Sequence, residues 1–579
     1  MVCARQMRLI RACCAASLLT VAVSAACAAP APMSTPAPAR PSASPVKRTL
    51  VPNTSPTPKA AGSVTESGRA GNAGSALTIG IIEEPETLNP YLTRLTTSFD
   101  VLSGVMEGLL DTDPAAKAQP RLAESYSVSA DGLTYTFHLR KDVKWHDGQM
   151  FTAADVVATW KIIVNNDFAA RRQLGWDKIV SIDTPDDFTV VMKTGEPYAP
   201  FLSDVGRTPI SPKHEIDKGL DSFKQAFGRA PVGTGPFKLV KWEGGQAIML
   251  EANNAYWGTQ PKLGHITLKI VPDTSTLLAL LKSGEVQMSA ALGASAYSQA
   301  QTLDKVVVNV MDGLEWTHID LKYIGFLADV RVRQALDYAT PKQQVVDMAL
   351  NGLATVSFGD QAPGTPWIDP KIDPRPYSLD QAAKLLAQAG FQKNALGILE
   401  KDGQSLALEY WIPAGDEDAK RVQQLVASSW EKLGVQVDLH AGEAKTIWGP
   451  TGYQFNKTLT AGQYAWRNSG DPDDMFYWHS SQIPKTPTGT GGNALAFFQR
   501  FDFQDQIDRL TSDAVKVSDV TARQQLYWQV QELLDEQVPV IFLYWPKRIY
   551  IVPKTLSGFK PNTFSNLLWD AQEWDIGGR

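Results

Sequence analysis

Cysteine is almost absent from this chain of 579 residues. Its four cysteines are Cys3, Cys13, Cys14 and Cys27, so no internal disulfide can form beyond residue 27. Long hydrophobic runs are also lacking after the N-terminal leader, and no later segment is long and apolar enough to span a bilayer. The chain is therefore not expected to be a permease itself.

Signatures of catalysis and metal binding are missing too. The seven histidines are scattered, and neither H-E-x-x-H nor C-x-x-C spacing occurs. There is no G-x-S-x-G motif and no P-loop. The acidic run 471–474 lacks the longer spacing and the distant Glu of a calcium-binding loop. These absences predict no metal, no cofactor and no enzymatic activity, although a secreted hydrolase that uses paired acids stays an alternative.

Positive charge is scarce outside the N-terminal part of the chain. The first 75 residues hold eight Lys or Arg and one acidic residue, out of 55 and 61 in the whole chain. The rest therefore carries 47 basic against 60 acidic residues, a net charge of about −13. A body of this charge repels nucleic acid, and no basic-aromatic stripe is present. We expect no nucleic-acid partner.

The first 27 residues have the pattern of an export signal. Three Arg residues precede the apolar run 12–26, which is too short to span a membrane. Small residues then precede Cys27, an arrangement similar to the lipobox of bacterial lipoproteins, so we expect lipidation of Cys27. Ordinary cleavage near Ala26 or Ala29 is the alternative. Residues 28–75, rich in Pro, Ala, Ser and Thr, are expected to form a disordered tether.

From residue 76 onward, strand and helix patterns alternate. Residues 77–82 resemble a buried strand, and residues 134–140 alternate apolar with polar side chains. Thr152 and Asp155 form a capping pair for a helix from 153 to about 164. Such alternation over a chain too long for one core predicts α/β lobes with mixed sheets.

Five blocks of residues match, in order, those of a known protein family. They are 122–156 (with LAESY, DGLTYTF, KWHDG and FTAADV), 231–257 (with PVGTGPF and NAYW), 328–336 (ADVRVRQAL), 470–474 (GDPDD) and 558–570 (with GF and WD). The chain thus resembles the extracytoplasmic solute-binding proteins of family 5, the peptide and nickel receptors of ABC importers. The matches span nearly all of the body after the tether.

The resemblance implies a two-lobed α/β fold of the periplasmic-binding-protein type (type II-like), with an extra peripheral sub-domain, a hinge and a ligand cleft. Lobe one would comprise residues 76–315 and 541–579, with the peripheral sub-domain at about 109–205. Lobe two would comprise residues 316–540. The chain would then cross between the lobes near 316–321 and near 538–543, where the closing rotation would be absorbed.

The segment 463–472 (QYAWRNSGDP) contains the main ligand contact that the resemblance implies. In peptide-binding relatives an Asp a few residues before the Asp-Pro step pairs with the α-ammonium of the peptide, and Asn468 occupies that position here. Because Asn carries no charge, two alternatives follow. Either the ligand has no free ammonium, or another acid, such as Glu84 or Asp471, binds that ammonium. The other candidate contacts are Trp316, Trp448, Tyr464, Trp466 and Arg467.

The function implied by the resemblance is that of a receptor. It would capture peptides or peptide-like solutes and deliver them to the permease and ATPase subunits of an ABC importer. We expect a monomer at the periplasmic or extracellular face of the cytoplasmic membrane, held there by a lipid anchor. A receptor of the same fold for an oligosaccharide, an opine or a metal chelate is the alternative, because sugars stack on aromatic faces and the ammonium-binding acid is missing.

Overall fold

The computed structural model describes residues 75–577, except 94, 115, 172, 174, 291, 444–446, 448, 450–451, 458–459, 488 and 490. Cys27, the expected leader and almost all of the expected tether lie outside the described residues, as does Trp448. None of the described helices combines the length and the apolar character needed to cross a membrane.

The chain up to residue 312 alternates strands and helices as expected. Its strands are β1 (Ala76–Ile81), β2 (Leu110–Thr112), β3 (Ala118–Pro120), β4 (Ala123–Val128), β5 (Thr134–Leu139), β6 (Ile179–Asp186), β7 (Thr189–Thr194), β8 (Phe237–Glu243), β9 (Ala247–Ala252), β10 (His265–Ile270), β11 (Met288–Ser289) and β12 (Val306–Asp312). Its helices are α1 (Thr96–Val105), α2 (Ala153–Ile163), α3 (Phe201–Asp204), α4 (Lys213–Ile216), α5 (Leu220–Arg229), α6 (Thr274–Ser283) and α7 (Ala294–Ala300).

The rest of the chain continues this alternation. Its strands are β13 (Glu315–Leu321), β14 (Ala354–Val356), β15 (Gln392–Lys393), β16 (Leu399–Lys401), β17 (Gln404–Ser405), β18 (Ala407–Pro413), β19 (Gln436–Gly442), β20 (Ala461–Arg467), β21 (Val540–Pro553), β22 (Leu556–Ser557) and β23 (Asp575–Ile576). Its helices are α8 (Val330–Tyr338), α9 (Lys342–Gln344) with a π-helical turn at Val345–Ala349, α10 (Leu379–Gln388), α11 (Glu417–Leu433), α12 (Met475–Trp478), α13 (Gln504–Ala514) and α14 (Val520–Gln537).

Local sequence signals account for several of these boundaries. The capping pair is confirmed, because Asp155 Oδ2 accepts a hydrogen bond from the Thr152 backbone N–H at 2.9 Å at the start of α2. Helix α11 ends where Gly434 adopts φ 106°, a left-handed conformation that glycine takes without strain. In β5, Tyr135, Phe137 and Leu139 are buried while their neighbours are not, as the alternation predicts.

One strand joins the two lobes of the fold. The described main sheet has the order β19-β18-β20-β13-β21-β11-β1-β10-β9-β8, with β12 and β14 also paired to β21. The C-terminal part of β21 pairs with β12 and β11, and its N-terminal part pairs with β13 and β14. We call the body around β1 and β8–β12 the first lobe and the body around β13, β14 and β18–β20 the second lobe.

The crossings between the lobes lie a few residues from the expected positions. The segments expected as crossings pair with each other inside the second lobe, as β13 and the start of β21. The chain passes between the lobes instead at Asp312–Glu315, from β12 to β13, and at Trp545–Lys547, where β21 changes partners. The ladder from Val306↔Pro553 to Asp312↔Lys547 keeps these crossings side by side.

Four apolar clusters fill the lobes. The largest packs the first lobe together with the peripheral antiparallel sheet β4-β5-β7-β6. In the second lobe, Ile541 and Leu543 of β21 belong to one cluster, and Val540 and Phe542 belong to another. Because alternate residues of a strand point to opposite faces, these two clusters cover the two faces of the second-lobe sheet. A smaller cluster lies under α6 and α7.

Candidate ligand cleft

Strands β13 and β20 carry most of the aromatic residues that the sequence singled out. Their antiparallel register sets Trp316 opposite Trp466 and His318 opposite Tyr464. Five ring pairs among these four side chains have centroids between 4.5 and 5.8 Å apart. Trp316 is fully buried, whereas Trp466 and Tyr464 keep part of their surface exposed. Trp316 is therefore a core residue, and the other two can offer a surface to a ligand.

Buried polar groups lie beside these rings. Asp320 Oδ2 accepts a hydrogen bond from the Tyr464 hydroxyl at 2.6 Å, and Asp320 Oδ1 lies 3.1 Å from His318 Nε2. Lys322 follows directly after β13, and its ammonium donates to the carbonyls of Tyr453 and Asn456. Burial lowers the pKa of Lys322 to about 8, and nearby Asp320 partly opposes that shift. This network was not predicted from the sequence, although polar residues stand at every second position, at His318, Asp320 and Lys322.

Asn468 makes hydrogen bonds within the second lobe. Its side-chain oxygen accepts from Trp316 Nε1 at 2.9 Å, and its amide nitrogen donates to the Asp360 carbonyl. The backbone N–H of Asn468 donates to Leu314 O at 2.9 Å. These bonds fix the amide by both of its ends. Its assignment to the ammonium-binding position stays a prediction.

Asp471 is paired inside the protein. Its two oxygens accept hydrogen bonds from the guanidinium of Arg523 on α14, at 2.6 and 2.7 Å. Only 11% of the Asp471 side chain and 7% of the Arg523 side chain are accessible, so solvent screens this ion pair little. The pair ties the Asp-Pro turn to α14, and the Asp471 carboxylate is already engaged.

More carboxyl groups are buried next to this turn. Trp478 Nε1 donates to Asp360 Oδ2 at 2.6 Å, and burial raises the pKa of Asp360 to about 6. Neither oxygen of Asp474 has a hydrogen-bond partner among the described residues. Burial raises the pKa of Asp474 as well, and the nearby carboxyls of Asp360 and Asp473 add to the shift. Protonation of one group removes the repulsion between Asp360 and Asp474.

The two acids after β1 differ in their surroundings, and the predicted ligand contact of Glu84 stays a prediction. Glu84 accepts hydrogen bonds from Trp242 Nε1 at 2.8 Å and from the Gly245 N–H at 3.0 Å, so it holds the β8–β9 hairpin. Glu83 remains exposed. Its pKa is raised, first by partial burial and then by the negative charges of Glu86 and Glu315, while Thr97 opposes the shift. These two neighbouring acids thus differ: Glu84 is engaged with the β8–β9 hairpin, whereas Glu83 is exposed to solvent.

A group of charged side chains meets where the chain crosses between the lobes. We call Glu83, Asp100, Glu315, Arg467 and Arg548 the junction cluster. Thr96 of α1 donates to Glu315 Oε1 at 3.3 Å, which brings the first lobe against the start of β13. Arg467 Nη1 lies 3.8 Å from the same Glu315 oxygen.

The junction cluster lies apart from the aromatic cluster, the name used here for Trp316, His318, Tyr464 and Trp466. Alternation along β20 places Arg467 on the face opposite Trp466 and Tyr464. The structure therefore divides the predicted contacts. Tyr464 and Trp466 border one face of the second-lobe sheet and Arg467 the other, while Trp316, Glu84 and Asp471 are engaged within the lobes.

Among the described residues, one group of side chains has the donor atoms for a metal ion. Asp147, His214 and Glu215 place one donor atom each within 4.8 Å of one another, and His214 Nε2 lies 2.7 Å from Asp147 Oδ2. Glu215 also pairs with Lys218 at 2.6 Å, so a cation would have to compete with that ammonium. Asp147 lies 67 residues from His214 along the chain, so no local spacing in the sequence marks it as a ligand.

Comparisons with known proteins agree with this architecture. The family model described as "Bacterial extracellular solute-binding proteins, family 5 Middle" matches residues 117–486. The oligopeptide-binding protein AppA of Bacillus subtilis is 28% identical over 513 residues, which cover 86% of this chain and 91% of that protein.

Solved structures match both lobes. AppA in complex with a nonapeptide superimposes with a TM-score of 0.79 at 27% identity, covering 87% of this chain and 99% of that one. NikZ from Campylobacter jejuni in complex with Ni(L-His) gives a TM-score of 0.79 at 26% identity, covering 86% and 99%. With a family model that matches more than half of its length, this chain belongs to the bacterial extracellular solute-binding proteins of family 5.

Proposed function

We propose that this protein captures a peptide or peptide-like solute between its two lobes and delivers it to the permease and ATPase subunits of an ABC importer. The observation that carries the proposal is the match to an oligopeptide-binding protein holding a nonapeptide, because it extends over both lobes. Binding without turnover is part of the proposal, because the matching family is one of solute-binding receptors.

The acids of the junction cluster support a ligand that carries a positive group. Glu83 belongs to the first lobe and Glu315 to the second, and the negative charge of Glu315 contributes to the raised pKa of Glu83. An ammonium placed between them would replace this repulsion by attraction. In this arrangement Glu83 and Glu315 supply the negative charge that peptide-binding relatives have at the position of Asn468. They supply it from the other face of the sheet.

Contacts between residues 196–199 and the second lobe support closure of the lobes. The Tyr198 hydroxyl donates to Asp473 Oδ2 at 3.3 Å, and the Ala199 N–H donates to Val515 O at 2.6 Å. Lys516 pairs with Glu196 at 2.8 Å. We expect these contacts between the peripheral sub-domain and the second lobe to open when the hinge opens. Small-angle scattering should then show a smaller radius of gyration with ligand than without it.

The ligand class can be tested on protein purified from its own cells. Denaturation releases any small molecule that the protein has retained, and mass spectrometry identifies it. The proposal predicts peptides. A metal chelate would instead favour the relative that binds Ni(L-His) as the functional guide, and an oligosaccharide would point to the aromatic cluster as the binding surface.

The membrane attachment is a separate part of the proposal. Cys27 lies outside the described residues, so its support comes from the sequence: a lone cysteine after an export signal and before a Pro-rich segment. Mass spectrometry of the N-terminal peptide from native membranes should find a diacylglyceryl group on Cys27. A soluble chain that begins at Ala28 or later would overturn lipidation and leave the receptor role intact.

A further inference from the structure

A histidine and two carboxylates from separate segments of the chain face one another. Asp147 belongs to the turn that the Gly148 N–H closes on Trp145 O at 2.8 Å, and His214 and Glu215 belong to α4. Nε2 of His214 lies 2.7 Å from Asp147 Oδ2 and 4.0 Å from Glu215 Oε1. The three side chains are between 15% and 32% accessible. An ion can therefore reach them from solvent.

The spacing of the three donor atoms suits a small divalent ion. All three atoms lie within 4.8 Å of one another. A tetrahedral zinc ion, with bonds of about 2.0–2.2 Å to nitrogen and oxygen, holds its ligand atoms about 3.3–3.6 Å apart. These separations fall between the 2.7 and 4.0 Å found around His214 Nε2. Small movements of the side chains would therefore seat the ion and leave its fourth position open to water.

Both segments are fastened to one buried carboxylate. Asp155 Oδ1 accepts a hydrogen bond from the Lys213 N–H at 2.8 Å, at the first residue of α4. Asp155 Oδ2 accepts one from Trp145 Nε1 at 3.4 Å, at the start of the turn that carries Asp147. The Asp147 carboxylate is itself oriented, because its Oδ1 accepts from the Gln149 N–H at 3.1 Å. Ligands that are held and oriented in this way bind a metal more tightly.

An ammonium group competes for one of the two carboxylates. Nζ of Lys218 lies 2.6 Å from Glu215 Oε1. The Lys218 side chain is 54% exposed, and ion pairs of such exposed side chains contribute little to stability. A divalent ion held by three ligands can therefore displace this ammonium from Glu215. Removal of the ammonium should strengthen binding of the ion.

We infer that Asp147, His214 and Glu215 bind a divalent transition-metal ion, for which zinc is the probe. Imidazole nitrogen combined with carboxylate oxygen suits zinc and its neighbours, whereas calcium and magnesium prefer oxygen ligands alone. The ion would clamp the turn of Asp147 to α4 and stabilise the folded chain. None of the three residues is among the predicted ligand contacts, so the inference does not depend on the nature of the solute.

Zinc binding to the full-length protein tests the site. The protein is prepared without a polyhistidine tag, its cysteines are alkylated, and any bound metal is removed with a chelator. Binding is then measured by equilibrium dialysis with elemental analysis, and each sample is also melted with and without zinc. The variants are Asp147→Asn, His214→Gln, Glu215→Gln and Lys218→Gln. Circular dichroism shows whether each variant is folded.

His440→Gln is the matched control. Nε2 of His440 lies 2.9 Å from Asp438 Oδ2, so this pair resembles the pair of His214 with Asp147. Among the described residues, however, no third ligand joins His440 and Asp438. Loss of zinc in this variant would show that an imidazole beside one carboxylate is sufficient, and would overturn the three-residue site.

We expect wild type to bind one zinc ion per chain in preference to calcium, with a rise in melting temperature. Each of the three ligand variants should bind zinc about tenfold more weakly or worse, because loss of an outer-shell partner alone typically costs that much. Each should also lose the rise in melting temperature. Lys218→Gln should bind zinc more tightly than wild type, and this exposed position keeps the test open if a ligand variant fails to fold.

Three results would overturn the site. The first is a wild type that binds no zinc or prefers calcium. The second is equal zinc binding by wild type and the folded ligand variants, which would assign the zinc to adventitious side chains elsewhere. The third is a Lys218→Gln variant that binds zinc no more tightly than wild type. The receptor function stands in each of these cases.

Discussion

At the scale of single residues, the buried carboxyl of Asp360 couples stability to pH. Its folded-state pKa of about 6 lies above the ordinary value because of burial. The stabilisation by the neutral carboxyl is therefore fully present below about pH 4 and is lost as the pH rises through about 6. His146 acts in the opposite direction, because burial lowers its pKa to about 4 and protonation then opposes folding.

The two effects are separated by comparing wild type with Asp360→Asn. Between pH 4.5 and 7.5 we expect wild type to lose stability relative to the variant, by at most about 3 kcal/mol. Thermal unfolding at several pH values measures this difference, and the contribution of His146 cancels in it. A difference that does not change with pH would contradict a folded-state pKa of about 6 for Asp360.

A second prediction concerns the ion pair of Asp471 with Arg523. Asp471→Asn keeps the size of the side chain but leaves the buried guanidinium without its bidentate partner. We expect a loss of about 3 kcal/mol in the free energy of unfolding, measured by denaturant titration. Asp505→Asn removes an acid from an exposed pair and should leave stability unchanged. A small effect of Asp471→Asn would mean that Asp473 takes over as the partner.

The third prediction concerns Asn468. An aspartate at this position cannot donate to the Asp360 carbonyl, and its carboxylate would lie close to that oxygen. We expect Asn468→Asp to lower the free energy of unfolding by about 1–3 kcal/mol, because a buried acceptor loses its donor. If the position instead binds the ligand, as the resemblance implies, the variant should tighten binding of peptides with a free N-terminus and not of their acetylated forms. Calorimetry with both peptide types distinguishes these outcomes.

At the scale of elements, helix α7 depends on a residue of another helix for its N-terminal hydrogen bonds. The carboxylate of Asp418 on α11 accepts hydrogen bonds from the N–H groups of Ala294 and Ser295 at 2.7 and 3.1 Å. Arg421 Nη2 donates to Asp418 Oδ1 at 2.6 Å and so orients this carboxylate. Asp418→Ala should destabilise the protein by about 1–2 kcal/mol, as the loss of a capping side chain does. The neighbouring Glu417→Gln is the matched control, because Glu417 is 65% exposed. Equal melting temperatures for the two variants would contradict this role for Asp418.

Elements such as these show why only part of the site was predictable. The capping pair of α2 and the end of α11 depend on residues a few positions apart, so their sequence signals are sufficient. The junction cluster depends on pairs far apart in the chain, such as Glu83 with Glu315 and Arg467 with Arg548. No local pattern brings these residues together. The choice between Glu83 and Glu84 depends on how the chain leaves β1, which only the hydrogen bonds to the β8–β9 hairpin reveal.

At the scale of the whole molecule, the two lobes share one strand, and their charged residues meet where that strand changes partners. The first lobe contributes Glu83 and Asp100, the second contributes Glu315 and Arg467, and β21 contributes Arg548. A ligand bound at the junction cluster therefore contacts both lobes and the crossing strand at once. Ligand binding and lobe closure are expected to be a single coupled event.

The proposed receptor role requires that this protein hold an intact solute between its lobes and leave it untransformed. Native mass spectrometry of the purified protein, followed over a day after exposure to a pool of short peptides, tests it most directly. We predict a one-to-one complex whose mass increase equals that of an intact peptide and stays constant. Failure to form a complex with any peptide of the pool, or loss of the complex as peptide fragments accumulate, would contradict the claim.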